Sequence, residues 1–406
     1  MKVAIDAAFL GAARGGDETF LGGLVEGLAR CHRPGDVFPL VLADAPVPAS
    51  LQGDPAFPVL RVPRRPGPWH FAVTLPGAVR RVGSPDLVVG VTHLPLRVGD
   101  RGVLVVGDLS FLHRPGDYPA ATAARLRALV PRQARAARAV LVPSEFTRAD
   151  VTSTLGLDPS RVHVVPNRVE LPDPGRATSA EVTAALRARG VDGRYLLYLG
   201  NLHPRKNVAR LVRAFRAARR TEPALADHRL VVAGGRWFGG HEEQDAAGGD
   251  PAVVFLGRVS DTERDALLAG ASALAYVSLF EGFGLPPLEA MAHGVPVLTS
   301  ATTALPEVCG DAALLVDPVD ADAVTAGVVR ILTDDALRSR LRTQGPARAA
   351  GFDTARVGAA ALRAFDAALA PAPLTSSPRH TTRRPPWAPG ARSDTTSPRT
   401  SPRPSR

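Results

Sequence analysis

Short runs of Val, Leu and Ile alternate with longer amphipathic stretches along most of this chain, and partway through the alternation begins again. A strand buried on both faces in a parallel sheet reads as an unbroken apolar run, because helices cover it above and below. The pattern therefore predicts an α/β fold with two doubly wound, Rossmann-like domains facing a cleft. In the first series the strand candidates are Val3–Phe9, Phe38–Ala43, Leu87–Val91, Val103–Asp108, Val140–Pro143 and Val162–Pro166, with helices near Glu18–Cys31, Ala120–Ala139 and Glu145–Leu155. The second series reads Tyr195–Gly200, Leu230–Gly234, Val253–Leu256, Leu274–Val277, Val295–Thr299 and Leu314–Val316, with helices beginning near Asn207, Ser260, Pro286 and Asp320. Between them, N-R-V-E-L-P-D-P-G-R-A-T-S carries the Pro, Gly and Asp of a linker, with the hinge near 168–190. The predicted organisation is a first domain over 1–172, a linker over 173–190, a second domain over 191–350, a helix over 351–370 packing back on the first domain, and a tail over 371–406.

Composition bounds the function. With 406 residues, 45% hydrophobic and 22% charged, the chain has material for two cores. The formal net charge of +10 divides into +5 over 1–170, −1 over 171–370 and +6 over 371–406. The tail is Pro-, Ser- and Arg-rich with few large apolar groups, so it is expected to be disordered and solubilising. Neither aromatic interleaving nor a nucleic-acid-binding fold accompanies its charge, and no nucleic-acid partner is predicted. The only cysteines, Cys31 and Cys309, fall in different domains, which gives neither a disulfide framework nor metal-ligand spacing and fits a reducing cytosol. M-K-V-A-I-D-A-A-F-L leads straight into the first strand with no leader, and no apolar run reaches membrane-spanning length. The expectation is a cytoplasmic protein, soluble or peripheral at the inner face of the membrane.

Two constellations carry chemistry. In E-G-F-G-L-P-P-L-E-A-M-A-H-G-V-P-V, residues 281–297, Glu281 and Glu289 bracket a Gly-Pro turn that opens a helix. Pro suits the first helical turn, and Gly282 and Gly284 leave the backbone free to approach a ligand, so unpaired amides form an anion site. Carboxylates beside such a site accept hydrogen bonds from hydroxyls, which fits a polyhydroxylated group such as a ribose or hexose. Taken alone, Glu289 is equally explained as a first-turn acid and Glu281 as a solvated loop acid. The second constellation is G-N-L-H-P-R-K-N at 200–207, leaving a strand and entering a helix. The chain has two lysines, Lys2 and Lys206, against 47 arginines, so a lysine at a strand-loop-helix mouth points to a compact charge set against phosphate, with Arg205 beside it. A solvated loop lysine is the alternative.

Together and in this order, these segments resemble the donor half of the family 4 glycosyltransferases, retaining enzymes of the GT-B fold. T-A-L-P-E-V-C-G-D-A-A-L-L-V-D-P extends the likeness. In the first domain so do K-V-A-I-D-A with its Gly-rich loop, D-L-S-F-L-H-R-P-G-D-Y-P, V-P-S-E-F-T-R-A-D-V and V-V-P-N. The resemblance implies a nucleotide-diphospho-sugar donor and a glycan or lipid-linked acceptor. Glu289 would bind the ribose, and Glu281 would bind the donor hexose with the amides of Gly282, Phe283, Gly284 and Leu285. Lys206, with Arg205 and Asn201, would meet the diphosphate; Arg258 and Val259 would lie near the base; Gly15 and Gly16 would close on the diphosphate from the other domain. Lys206 and Glu281 are thus the catalytic candidates. Front-face attack through an oxocarbenium-like ion pair would retain configuration, with no cofactor and no metal, since no D-x-D with suitable company is present. A mannosyl-like donor is favoured.

The chain departs from the family pattern at several positions. Many members carry Arg at the position of Asn201, and H-D where this chain has Gly107-Asp108; Arg168 replaces the glycine after V-P-N. His93 and His113 are the candidates to supply the missing imidazole, and with Asp108 they form the acceptor-side set. Arg61, Arg64, Arg65, Trp69 and Phe71 in a Pro-rich loop, with Arg125, Arg132, Arg135 and Arg138, are expected to offer a basic face to anionic headgroups or a lipid-diphosphate acceptor; the alternative is that an Arg-rich chain shows basic loops and faces by chance. The alternatives to a transferase are a nucleotide-sugar-binding scaffold on a decayed frame, motivated by Gly107 and Asn201, and an NDP-sugar epimerase.

Overall fold

The computed structural model of the protein describes residues 1–11, 15–96, 98–172, 180–237 and 239–371. Two parallel sheets organise it. The first contains β1 (Val3–Asp6), β2 (Leu40–Leu42), β3 (Val59–Arg61), β4 (Leu87–Val91), β5 (Gly102–Val105), β6 (Ala139–Val142) and β7 (Val162–Val164), in the order β3-β2-β1-β4-β5-β6-β7. The second contains β8 (Arg194–Leu199), β9 (His228–Ala233), β10 (Val253–Gly257), β11 (Ala273–Tyr276), β12 (Val297–Ser300) and β13 (Leu314–Val316), in the order β10-β9-β8-β11-β12-β13. Both orders reverse once, between β1 and β4 and between β8 and β11. At such a reversal the flanking crossover helices lie on opposite faces, so the strand ends open a crevice that connections do not cover.

The central strands β1, β4 and β11 are buried along their whole length, which is why they read as continuous apolar runs. β3 left no such signature. It is an edge strand with Val59 at 37% exposure, and the segment around it reads as a Pro- and Arg-rich loop. The chain then forms helix over Gly67–Trp69, one π-turn over His70–Thr74 and helix again over Leu75–Val82. Pro76 has no N–H to continue the ordinary ladder, and a wider turn accommodates the break.

Within the span read as a linker, residues 173–179 lie outside the described residues and Ala180–Ala188 is a helix with Leu186 buried. Its A-E-V-T-A-A-L-R-A sequence is made of good helix formers, and this outweighs the turn residues before it. The last described helix, Thr354–Leu369, lies along the Gly16–Cys31 helix. A Cβ on Gly358 would stand 2.0 Å from the Gly27 carbonyl oxygen, so the two backbones touch. Val357, Ala361 and Phe365 join the core beneath the first sheet. Residues 372–406 of the expected tail lie outside the described residues. No described helix is long and apolar enough to cross a membrane.

Candidate functional site

At the β8/β11 reversal the two chemical constellations meet. Lys206 comes from the turn Pro204–Lys206 after β8, and Glu281 from the loop after β11. Lys206 Nζ donates to Glu281 Oε1 at 2.5 Å, the Tyr276 hydroxyl donates to the same oxygen at 3.0 Å, and Lys206 also donates to that hydroxyl. Arg205 pairs with Glu281 Oε2 at 2.9 Å, donates to the Phe280 carbonyl at 2.7 Å and approaches Asp108 of the first lobe at 3.8 Å. One buried carboxylate thus stands between two cations. Burial pushes the Glu281 carboxyl up, but the charges of Arg205 and Lys206 outweigh it and hold the group down at about 2. Burial, and then the Arg205 charge, bring Lys206 down to about 8 against the pull of Glu281. Glu281 and Asp108 together match the two cations in charge, and they hold Arg205 and Lys206 side by side at the strand end.

The turn holding these cations is capped by His203, whose Nδ1 accepts from the Arg205 amide at 3.3 Å. The other ring nitrogen, Nε2, is buried and has no hydrogen-bond partner among the described residues, as is also true of Arg205 Nε. Burial, and then Arg205 and Lys206, lower His203 to about 4, so the ring is neutral at pH 7. Tyr118 of the first lobe closes over it, with ring centroids 5.0 Å apart, and Trp237 lies 4.7 Å from His203. The Tyr118 hydroxyl bonds Ser110, whose amide donates to Asp108 at 2.9 Å. Burial and the Asp108 charge push Tyr118 up to about 12.

The Gly-Pro turn does what its residues require. Gly284 has φ +111°, and a Cβ there would stand 2.5 Å from Leu305 Cδ2. The helix Leu285–Ala292 follows, with Pro286 in its first turn and Phe283 packed on Phe352 at 5.5 Å. Gly282 is where the lobes meet: a Cβ on it would lie 1.8 Å from the Gly107 carbonyl oxygen. Ser144 Oγ and Thr147 Oγ1 donate to the Gly282 carbonyl at 2.7 and 3.0 Å. Glu307 accepts from the Glu145 and Phe146 amides, both at 2.8 Å, so a carboxylate of the second lobe caps a helix of the first. Glu289 contrasts with Glu281. Its half-buried carboxylate accepts no hydrogen bond from a described residue, and burial raises its pKa against the opposing charge of Arg264.

The remaining expected site residues are more dispersed. Gly15, with φ +65°, precedes the Gly16–Cys31 helix, and a Cβ on Gly15 or Gly16 would meet no described atom within 4 Å. Asn201 is exposed after β8, where its carbonyl accepts from the Tyr198 hydroxyl at 3.0 Å. After β10, Arg258 lies against Gly235, and Val259 is half-buried on the second core. Asp108 joins the Arg205 group, and of the two histidines expected to compensate for Gly107, His113 lies against Phe280 beside the clamp loop and His93 against Phe71. His93 packs edge-on against Phe71 at 4.9 Å; His113 bonds Asp150 at 2.8 Å and stacks on Phe280 at 5.4 Å.

Sequence reasoning passed over Tyr276, Tyr118, His203 and Trp237. Tyr118 and His203 lay inside segments singled out for other reasons, and Tyr276 is hidden in an apolar strand. Among the described residues no cluster of three or more His, Cys, Asp or Glu has the placement to hold a metal.

Comparison with known proteins matches this architecture in both halves. The family model for glycosyl transferases group 1 matches residues 187–348, and that for Glycosyltransferase Family 4 matches residues 14–173. The O-antigen chain mannosyltransferase B of Escherichia coli is 31% identical over 267 residues, covering 64% of this chain and 68% of that protein. The MMP alpha-(1->4)-mannosyltransferase of Mycolicibacterium hassiacum is 31% identical over 252 residues, covering 59% of this chain and 57% of its own length. Among solved structures, sucrose-phosphate synthase of Thermosynechococcus elongatus superposes with a TM-score of 0.67 at 21% identity, covering 90% of this chain and 98% of that one. Anabaena Alr3699/HepE, solved in complex with UDP-glucose, gives 0.66 at 18% identity, covering 90% and 99%. At these identities the structural matches speak to the fold.

Proposed function

The chain belongs to the family 4 glycosyltransferases, and from that premise we propose that it is a retaining hexosyltransferase, using a nucleotide-diphospho-sugar to extend a glycan or lipid-linked acceptor in cell-surface polysaccharide synthesis. The observation that carries the reading is the buried clamp at the β8/β11 reversal, where Glu281 holds Arg205 and Lys206 side by side. Two preorganised cations at a strand end suit a leaving diphosphate, since they need not reorganise as its charge develops. A mannosyl donor is favoured because relatives at 31% identity are named as mannosyltransferases.

In the proposed reaction the bond between the anomeric carbon and the diphosphate oxygen breaks, and its electron pair leaves with the diphosphate. The acceptor hydroxyl attacks the same face of the oxocarbenium-like sugar, and its proton passes to the departing phosphate. Lys206, Arg205 and the amides from Gly282 to Leu285 stabilise that phosphate. Glu281 is first a counter-ion that aims both cations. A carboxylate offers about four acceptor positions, and Lys206, Arg205 and Tyr276 use three, leaving about one for a hexose hydroxyl. Glu289, which accepts from no described residue, receives the ribose hydroxyls. Arg258 and Val259 flank the base, and Gly15 and Gly16 close from the first lobe. Peripheral contact with the inner face of the membrane belongs to the same reading; co-sedimentation with anionic liposomes at low salt tests it, and a protein that stays in the supernatant counts against it.

Thermal-shift measurement across nucleotide sugars tests the donor. Ligand at about 100 times its Kd stabilises by about 2.7 kcal/mol, so one nucleotide class should raise Tm by several degrees in the parent and much less in Lys206→Ala. A parent indifferent to every nucleotide sugar would overturn the transferase reading.

A further inference from the structure

The first lobe contains a second arrangement at the carboxyl ends of β1, β2 and β3. Asp6, the last residue of β1, is 1% exposed, and His70 of the π-turn is 4% exposed. His70 Nε2 lies 3.2 and 3.1 Å from the two Asp6 oxygens, and the Ala8 amide donates to Asp6 at 3.2 Å. Nothing in the donor clamp uses this pair. His70, held by Asp6, lines a small cleft with Ala8, Phe9, Ala43, Pro63, Arg64 and Arg65, all after the carboxyl ends of β1, β2 and β3.

Asp6 is engaged by His70 and a backbone amide, whereas Arg64 and Arg65 are exposed and make no ion pair or hydrogen bond with a described residue. Nearby Arg61, by contrast, donates to the Ala43 carbonyl at 2.8 Å. The cleft is therefore cationic at its rim. Its interior is about 40 Å³, the space of a few waters and not of a hexose ring, so a substituent enters and the ring stays outside. Position separates it from the donor. Asp108, 3.8 Å from Arg205, follows β5; along the sheet β1 lies two strand intervals from β5, about 10 Å, and β3, which Arg64 and Arg65 follow, lies four, about 19 Å. That distance leaves room for an acceptor ring between the anionic group and the donor.

Resting on the transferase reading, we propose that this cleft is an acceptor subsite for an anionic sugar. Arg64 and Arg65 bind its phosphate or carboxylate substituent, and Asp6 acts as a positioning residue that fixes the His70 ring against it. Arginine suits this task because its planar fork matches both oxyanions.

The test compares binding of mannose 6-phosphate, glucuronate and mannose by calorimetry at low salt, in the parent and in the double variant Arg64→Ala/Arg65→Ala, whose exposed positions leave the core untouched. The parent should bind one anionic sugar at least about tenfold more tightly than mannose, and the double variant should lose that preference. In turnover assays the double variant should raise the KM for an anionic acceptor while the donor KM and kcat stay near parental values. A parent that does not discriminate, or a preference that survives in the double variant, overturns the subsite. Asp6→Asn should weaken the preference at unchanged donor response, and a variant with full preference removes the positioning role. The nucleotide-sugar thermal shift keeps the two readings apart. A parent with a donor response and no anionic preference sinks this inference alone, and one with no donor response sinks the transferase reading.

Discussion

Lys206 shows how much one residue's chemistry depends on what is packed around it. As one of two lysines in the chain it was conspicuous, but its environment sets its charge. Burial and Arg205 bring it down to about 8, so it is cationic below that pH and loses its charge as the pH rises through it. kcat/KM, which reports groups of the free enzyme, should therefore be level near pH 7 and fall about tenfold per unit above about 8. Lys206→Arg should abolish that alkaline limb, at whatever lower activity it retains, because a guanidinium does not deprotonate there. A second residue-scale prediction concerns Glu289, whose carboxylate accepts no hydrogen bond from a described residue and which we propose meets the ribose. Glu289→Ala should raise the donor KM about ten- to a hundredfold, the loss of about 1.5–3 kcal/mol of charge-assisted hydrogen bonding, with kcat close to parental. Abolished turnover at unchanged donor affinity would contradict the ribose assignment. The two glutamates look alike in sequence, and their difference arises because only Glu281 folds against Arg205 and Lys206.

At the scale of elements, the loop from Glu281 to Gly284 was legible in part. Gly and Pro announced a turn opening a helix, and the positive φ at Gly284 is the local reason. What Gly282 does was not legible, since its neighbour is Gly107 of the other lobe. In Gly282→Ala the new Cβ would stand 1.8 Å from the Gly107 carbonyl oxygen, and a backbone atom cannot swing aside as a side chain can. The lobes must part by about 1 Å, and a misplacement of that size costs about a hundredfold in rate. The expected result is a fall of that order in kcat/KM, with thermal stability changed far less. A variant with parental kinetics would show that the contact does not set the geometry of the cleft. The π-turn over His70–Thr74 shows the opposite limit: a Pro-rich segment reads as loop, whereas in the fold Phe71 packs with Val41 and Val62 beside β2, and His70 meets Asp6.

For the whole molecule, the terminal helix Thr354–Leu369 stitches the end of the chain onto the first core. Gly358→Ala would put a Cβ 2.0 Å from the Gly27 carbonyl oxygen, an overpacking that costs about 1–3 kcal/mol, and the Tm should fall by several degrees. Gly22→Ala, on the same helix as Gly27 but with nothing within 4 Å of its new Cβ, should instead stabilise by about 0.5–1 kcal/mol. Thermal melts of the two variants check both signs, and equal effects would refute the backbone contact. By itself the sequence determined the α/β class, the six strands of the second sheet and the segments that carry chemistry. Buried parallel strands and helix-opening turns impose patterns on consecutive residues, and those patterns survive in the sequence. The tertiary structure alone decided that β8 lies beside β11, which brings residues 75 positions apart into one clamp, and that Gly107 touches Gly282 across the lobes. Strand order and lobe contact are pairings between distant parts of the chain. They follow from which surfaces bury best together, and no local pattern records them.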